Sequence, residues 1–154
     1  MTGTRRRRAA AAVLCLGMTL GLMVAGPAAD EASAVTDSER RMVRLVNQTR
    51  RNHGLSALKI SWRVTRVAHR HSARMASRGY LYHSCLRCLM YDSGVSWRWA
   101  GENVAYGSTL RGIHRSLMRS SIHRANILKG GARRIGAGVV RRNGRYWVTE
   151  IFYY

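Results

Sequence analysis

Residues 135–153 read IGAGVVRRNGRYWVTEIFY, and this stretch decides the fold. Ile135 to Val140 and Tyr146 to Tyr153 are rich in β-branched and aromatic residues. Between them Asn143-Gly144 is the dipeptide that tolerates the left-handed conformations of a type I′ turn. The stretch therefore predicts an antiparallel hairpin. Upstream the period changes. Thr36-Asp37-Ser38-Glu39 is a capping box, and Met42, Leu45, Val46 and Thr49 recur at helical spacing. They predict a helix over 38–53, stopped at Gly54. A second helix runs from a cap at Ser61 to Gly79, with Val64, Val67, Ala68, His71 and Met75 as its buried stripe and Arg and His on its other face. Leu110, Ile113, His114, Leu117 and Met118 form a third, and Ser121 to Leu128 a further turn. From Tyr80 to Gly107 the periodicity fails while Tyr, Trp, Cys, His and Gly accumulate, the signature of an ordered loop carrying a site. Helices followed by a hairpin make a single α+β domain.

The chain has 154 residues, with 27 Lys or Arg against 7 Asp or Glu, a net charge of +20, and is 46% hydrophobic. That balance excludes an acidic solvating protein and is too apolar for a disordered basic tail. Arg5 to Arg8 precede a small and apolar run from Ala9 to Ala25, and Ala32-Ser33-Ala34 suits a signal peptidase. A signal peptide over 1–34 is expected, then one domain over 35–154. Gly26-Pro27-Ala28 is the competing cleavage site, and a retained anchor is the alternative to cleavage. Cys15 lies within the apolar run, and Leu14 before it is too large for a lipoprotein site. The expected product is secreted, extracellular or cell-wall associated, and monomeric. It holds 120 residues, 23 basic and 5 acidic, for a net charge of +18.

Three strings carry the candidate chemistry: Tyr82-His83-Ser84, Gly101-Glu102-Asn103-Val104-Ala105, and Ser120-Ser121-Ile122-His123-Arg124-Ala125-Asn126-Ile127-Leu128. With Leu45 to Arg50, Gly54-Leu55, Ile135 to Val139 and Trp147-Val148-Thr149, their order and spacing resemble the CAP superfamily, also called SCP. That group contains cysteine-rich secretory proteins, venom antigens, pathogenesis-related proteins and secreted bacterial domains, and the resemblance is to the bacterial secreted branch. It implies an α-β-α sandwich with a shallow cleft lined by two His and acidic residues, which in some members holds a divalent metal such as zinc. The matching positions are His83, Glu102 and His123, with His83 and His123 as the imidazole ligands of any zinc. The family's second acid has no counterpart, since Leu110 to His114 occupy that region. The usual Trp before Met118 is Leu117, and the usual Ser-Pro-Gly-His turn is Ser120-Ser121-Ile122-His123. Glu150, where many bacterial relatives carry Gln, shares a strand face with Tyr146, Val148 and Phe152 and is the candidate compensating acid.

No nucleophile elbow and no Ser, His, Asp set is readable from spacing. Asn103 and Asn126 read as bridges between backbone groups. Cys85 and Cys88, in an exported chain, are expected to form a local disulfide; with His83 they also make a three-ligand cluster short of a structural zinc's fourth donor. Arg40-Arg41, Arg50-Arg51, Arg66, Arg70, Arg74, Arg78, Arg133-Arg134 and Arg141-Arg142 spread charge widely. Outside a cell that charge selects anionic wall polymers or lipid headgroups over nucleic acid. Trp97, Trp99, Tyr80, Tyr82 and Tyr91 are core or loop packing, with one or two lining a ligand groove that would take a small molecule or lipid. The leading function is a non-catalytic extracellular ligand- or envelope-binding module. Its rivals are a metal-dependent hydrolase with Glu102 as general base, and a cationic antimicrobial or polyanion-binding protein acting by charge alone.

Overall fold

The computed structural model describes Met1 and residues 35–154, so the expected signal peptide and the cleavage site at Ala34 lie outside the described residues. Helix α1 spans Asp37–Asn52, and its capping box is formed as expected. Thr36 Oγ1 accepts from Glu39 N, and Glu39 Oε2 accepts from Thr36 N at 2.8 Å. Helix α2, Trp62–Arg78, starts at Ser61 and stops at Gly79, whose φ of 78° suits the residue that lacks a Cβ. The expected hairpin is present as β3 (Arg134–Arg142) and β4 (Arg145–Tyr153), turned by Asn143 at φ 49° and Gly144 at φ 73°.

The stretch 80–107 departs from the expected loop. It contains helix α3, Leu86–Ser93, and strand β2, Ala100–Gly107, which pairs antiparallel with β4. Neither element shows in the pattern. One is two turns long, and the other is a Gly-, Glu- and Asn-rich segment that becomes a strand because a formed neighbour completes its ladder. A two-residue strand β1, Lys59–Ile60, pairs parallel with β3, so the sheet order is β1-β3-β4-β2. Helices α4 (Leu110–Arg119) and α5 (Ser121–Ile127) follow β2.

Both sheet faces are covered, which makes the α-β-α sandwich. Met42 and Val46 of α1, Ile113 and Leu117 of α4 and Ile127 of α5 pack on Ile135, Val139, Val148 and Phe152. On the opposite face Val64, Val67 and Ala68 of α2, with Leu89 and Met90 of α3, meet Ile151 and Tyr153. Strand β4 is consequently buried along most of its length, as a central strand covered on both faces must be. The alternation Ile-Gly-Ala-Gly-Val in β3 has a matching cause. Its odd-numbered residues fill one core, while Gly136 and Gly138 lie directly beneath the backbone of α2.

Arg50 departs from its place in the expected cationic surface. It is completely buried, donating from Nε to Ser56 O at 2.9 Å and from Nη1 to Ile127 O at 2.7 Å and Lys129 O at 3.0 Å. It thus pins the end of α1 to the end of α5.

Candidate functional site

The αL stop at Gly79 ends α2 and releases the chain toward β2. His71, buried on α2, donates from Nε2 to Tyr82 O at 2.9 Å and so fixes the backbone immediately before His83. His83 remains exposed, and its Nδ1 donates to Glu102 Oε1 at 2.8 Å. With Nδ1 as the donor, the neutral form of the ring carries its lone pair on Nε2. Glu102 on β2 is buried and fully engaged: Oε1 also accepts from Ser84 N at 3.0 Å, and Oε2 accepts from Ser84 Oγ. Ser84 is therefore a clamp on the carboxylate, with its hydroxyl proton committed.

His123 sits on α5 with Nδ1 against Ser120 Oγ at 2.9 Å. Burial lowers its pKa, and the positive charge available at His83 lowers it further, so the two imidazoles share one electrostatic neighbourhood. Beneath them Asn103 Nδ2 donates to His123 O at 3.2 Å and to Glu150 Oε2 at 3.1 Å. Asn126 Nδ2 in turn donates to Asn103 Oδ1 at 2.9 Å and Glu102 O at 3.1 Å. The two asparagines are the backbone bridges their chemistry suggested. Gly101 is required beside them, because a Cβ there would stand 2.6 Å from Asn126 Oδ1 and 2.9 Å from the Trp99 ring.

Glu150 takes a different position from an open ligand. Its carboxyl is wholly buried, one oxygen is held by Asn103 and the other has no partner, and burial pushes its pKa up to about 7. The folded state therefore holds a proton that the unfolded chain releases near pH 4.5. That contribution is full below pH 4.5 and is lost as pH rises through about 7. Thermal melts between pH 5 and 8 should show stability falling on the order of 2 kcal/mol from this group, and Glu150→Gln should flatten the slope. An unchanged slope in the variant would assign the pH dependence to other groups.

Cys85 and Cys88 are joined in a disulfide with Cα atoms 5.2 Å apart, so their sulfurs are not metal ligands here. The bridge borders a hollow of about 260 Å³ that His83 shares with Arg74 and Arg78 of α2. Arg78 also stacks on Tyr82, 5.0 Å from its ring centre. Asp92 lines the same hollow and Glu102 bonds His83 directly, so charges of both signs surround the imidazole. The signal the sequence reading missed is Ser84: nothing in spacing reveals that its N–H and hydroxyl would both close on Glu102, eighteen residues away.

Residues 43–152 match the sequence profile of the cysteine-rich secretory protein family, CAP. The chain belongs to the CAP family. An uncharacterised protein of Bacillus subtilis, YkwD, is 32% identical to it over 124 residues, covering 77% of this chain and 48% of that protein. An extracellular SCP-domain protein of Bacillus anthracis superposes with a TM-score of 0.68 at 25% identity, over 75% of this chain and 40% of the other. An outer surface protein of Borrelia burgdorferi gives the same TM-score of 0.68 at 15% identity, over 78% of this chain and 94% of that one. This CAP chain spans about half the length of YkwD, so it corresponds to one part of that relative. No helix among the described residues is long and apolar enough to cross a membrane.

The donors offered by His83, Glu102 and His123 are a poor fit to zinc. Among the described residues no three or more His, Cys, Asp or Glu side chains are grouped to hold a metal ion. His83 and His123 each offer one ring nitrogen, whereas both oxygens of Glu102 already accept hydrogen bonds. A closed site needs four ligands and a catalytic one three.

Proposed function

We propose that this CAP domain is an exported, non-catalytic module that binds anionic polymers or lipid headgroups of the cell envelope, with the His83–Glu102–His123 cleft serving as a ligand surface. One observation carries the reading. Of the five acidic side chains in residues 35–154, Glu39, Glu102 and Glu150 are buried, which leaves Asp37 and Asp92 exposed against some twenty basic side chains. Among the described residues the ion pairs within 4 Å are His69–Glu39 and His83–Glu102, and neither uses an arginine. An unpaired surface of this sign attracts polyanions over a Debye length, about 10 Å at 0.1 M salt. The hydrolase reading needs Glu102 as general base, whereas that carboxylate is buried and already accepts from His83 Nδ1, Ser84 N and Ser84 Oγ. The similarity to extracellular and outer-surface proteins supports export.

Washed cell envelopes at low and moderate salt provide the test. Arg66→Glu, Arg70→Glu and Arg74→Glu together reverse the exposed face of α2, and retention should fall about tenfold, with the wild type itself released by added salt. His83→Ala and His123→Ala should remain folded and bind within about twofold of wild type, since neither removes a surface cation of fixed charge. Loss of binding in the His variants with retention in the Arg variant would move the functional surface into the cleft.

A further inference from the structure

Away from the His83 cleft, the loop 94–98 crosses the end of the sheet with a hollow on either side, and the two share Ser96. One, of about 420 Å³, is lined by Trp62, Arg63 and Arg134; the other, of about 700 Å³, by Trp97, Arg98, Arg133 and Tyr154. The aromatic rings here are exposed, Trp62 by 47%, Trp97 by 37% and Tyr154 by 42%. No acidic side chain lines either hollow among the described residues. The floor is rigid: Arg98 N donates to Tyr154 O at 2.8 Å, Arg133 N to Tyr153 O at 3.1 Å, and Arg134 stands opposite Tyr153 in the sheet. The guanidiniums are nevertheless almost free. Arg63 makes one bond to Gly94 O at 3.3 Å, and Arg133 one to Gly130 O at 3.5 Å. Trp62 is held in place by Arg63 and Arg66, whose guanidinium carbons lie 5.3 and 5.5 Å from its ring centre.

We infer that this saddle is a binding site for an acidic polysaccharide, laid across Ser96 with sugar rings against the aromatic faces and carboxylate or phosphate groups on the arginines. The inference rests on the envelope-binding reading and names its ligand class and place. Three features select this ligand. Two hollows that share Ser96 suit an extended chain. Trp97, with the ring surface that Arg63 and Arg66 leave open on Trp62 and that Trp99 leaves open on Tyr154, offers apolar area to sugar rings, which bare charge does not need. Four guanidiniums without acidic partners offer forked donors to carboxylate or phosphate. A membrane surface, being flat, would meet the outer arginines of α2 rather than enter either hollow.

The test uses polygalacturonate, a hexuronic acid polymer, with neutral dextran, anionic phospholipid vesicles and oligothymidylate as comparison probes, followed by fluorescence titration at fixed salt. Arg98→Gln with Arg134→Gln should weaken polygalacturonate binding about tenfold, while Arg111→Gln with Arg115→Gln, the same charge change on exposed positions of α4, should weaken it less than about threefold. Trp62→Ala with Trp97→Ala should also weaken binding about tenfold but leave its salt slope unchanged, since no cation is lost. Thermal melts confirm that each variant is folded. Equal losses in the two arginine pairs would overturn the saddle and leave envelope binding by diffuse charge intact. Tighter binding of vesicles or oligothymidylate, dependent on Arg98 and Arg134, would overturn the polysaccharide assignment. Failure of the wild type to bind either polygalacturonate or washed envelopes would overturn both readings.

Discussion

Arg50→Ala is expected to destabilise the domain by about 4 kcal/mol, equivalent to lowering the melting temperature by roughly 15 °C in a domain of this size. Arg50 is a fully buried cation with no carboxylate beside it among the described residues. Its partners are three backbone carbonyls, Ser56 O, Ile127 O and Lys129 O. Two of these lie at the end of α5, where the helix dipole presents its negative pole, so the protein places a charge where the backbone already carries a partial opposite one. Burial and the neighbouring Arg133 both lower the Arg50 pKa, yet a guanidinium holds its proton throughout the accessible pH range. Alanine would leave those carbonyls buried without donors and open a large cavity. Arg50→Lys keeps the charge but replaces a planar fork with a single rotatable point, and about half the loss should persist. Urea denaturation followed by circular dichroism measures both. A loss below about 1 kcal/mol for alanine would mean that water takes over the three carbonyls.

The second large effect belongs to Gly138→Ala. A Cβ at this position would land on the backbone of α2 at the Ala68 carbonyl and His69 nitrogen, atoms that move only if the whole helix moves. Adjacent contacts raise the penalty. Ser72 Oγ donates to Gly138 O at 3.0 Å and meets Thr149 Oγ1 at 2.8 Å, so lifting α2 would also break a buried hydrogen-bonded pair. The expected cost is about 3 kcal/mol or more, the upper range of overpacking. Gly144→Ala is the comparison: nothing lies within 4 Å of its Cβ, and only its φ of 73° is unfavourable, so it should cost about 1 kcal/mol. Equal losses for the two would show that α2 and β3 separate readily.

What the sequence made legible followed from local chemistry. The capping box at Thr36, the αL stop at Gly79 and the Asn143-Gly144 turn each act within a few residues, and each is present. Strand β2 was not legible, because Gly101, Glu102 and Asn103 are poor strand formers taken into the sheet by β4. The glycines of β3 belong to a string that resembles the family pattern, but their physical reason needs α2 laid across them. Glu39 had one evident role, the cap, and has two more: it accepts from His69 Nδ1 at 2.8 Å and from Val139 N at 3.4 Å. His114, part of the α4 stripe in the region where the family's second acid has no counterpart, bonds Thr49 across 65 residues of chain. Contacts of that separation leave no periodic trace.

The burial of Glu39, Glu102 and Glu150 has a consequence for where such a protein can work. Its outward charges are almost all guanidiniums, which do not titrate in any medium a cell tolerates. The exterior therefore keeps its sign through acidification or alkalinisation, while the ionic strength of the surroundings sets how far that sign is felt. A molecule built this way would stay attached in a souring environment and be rinsed away by brine.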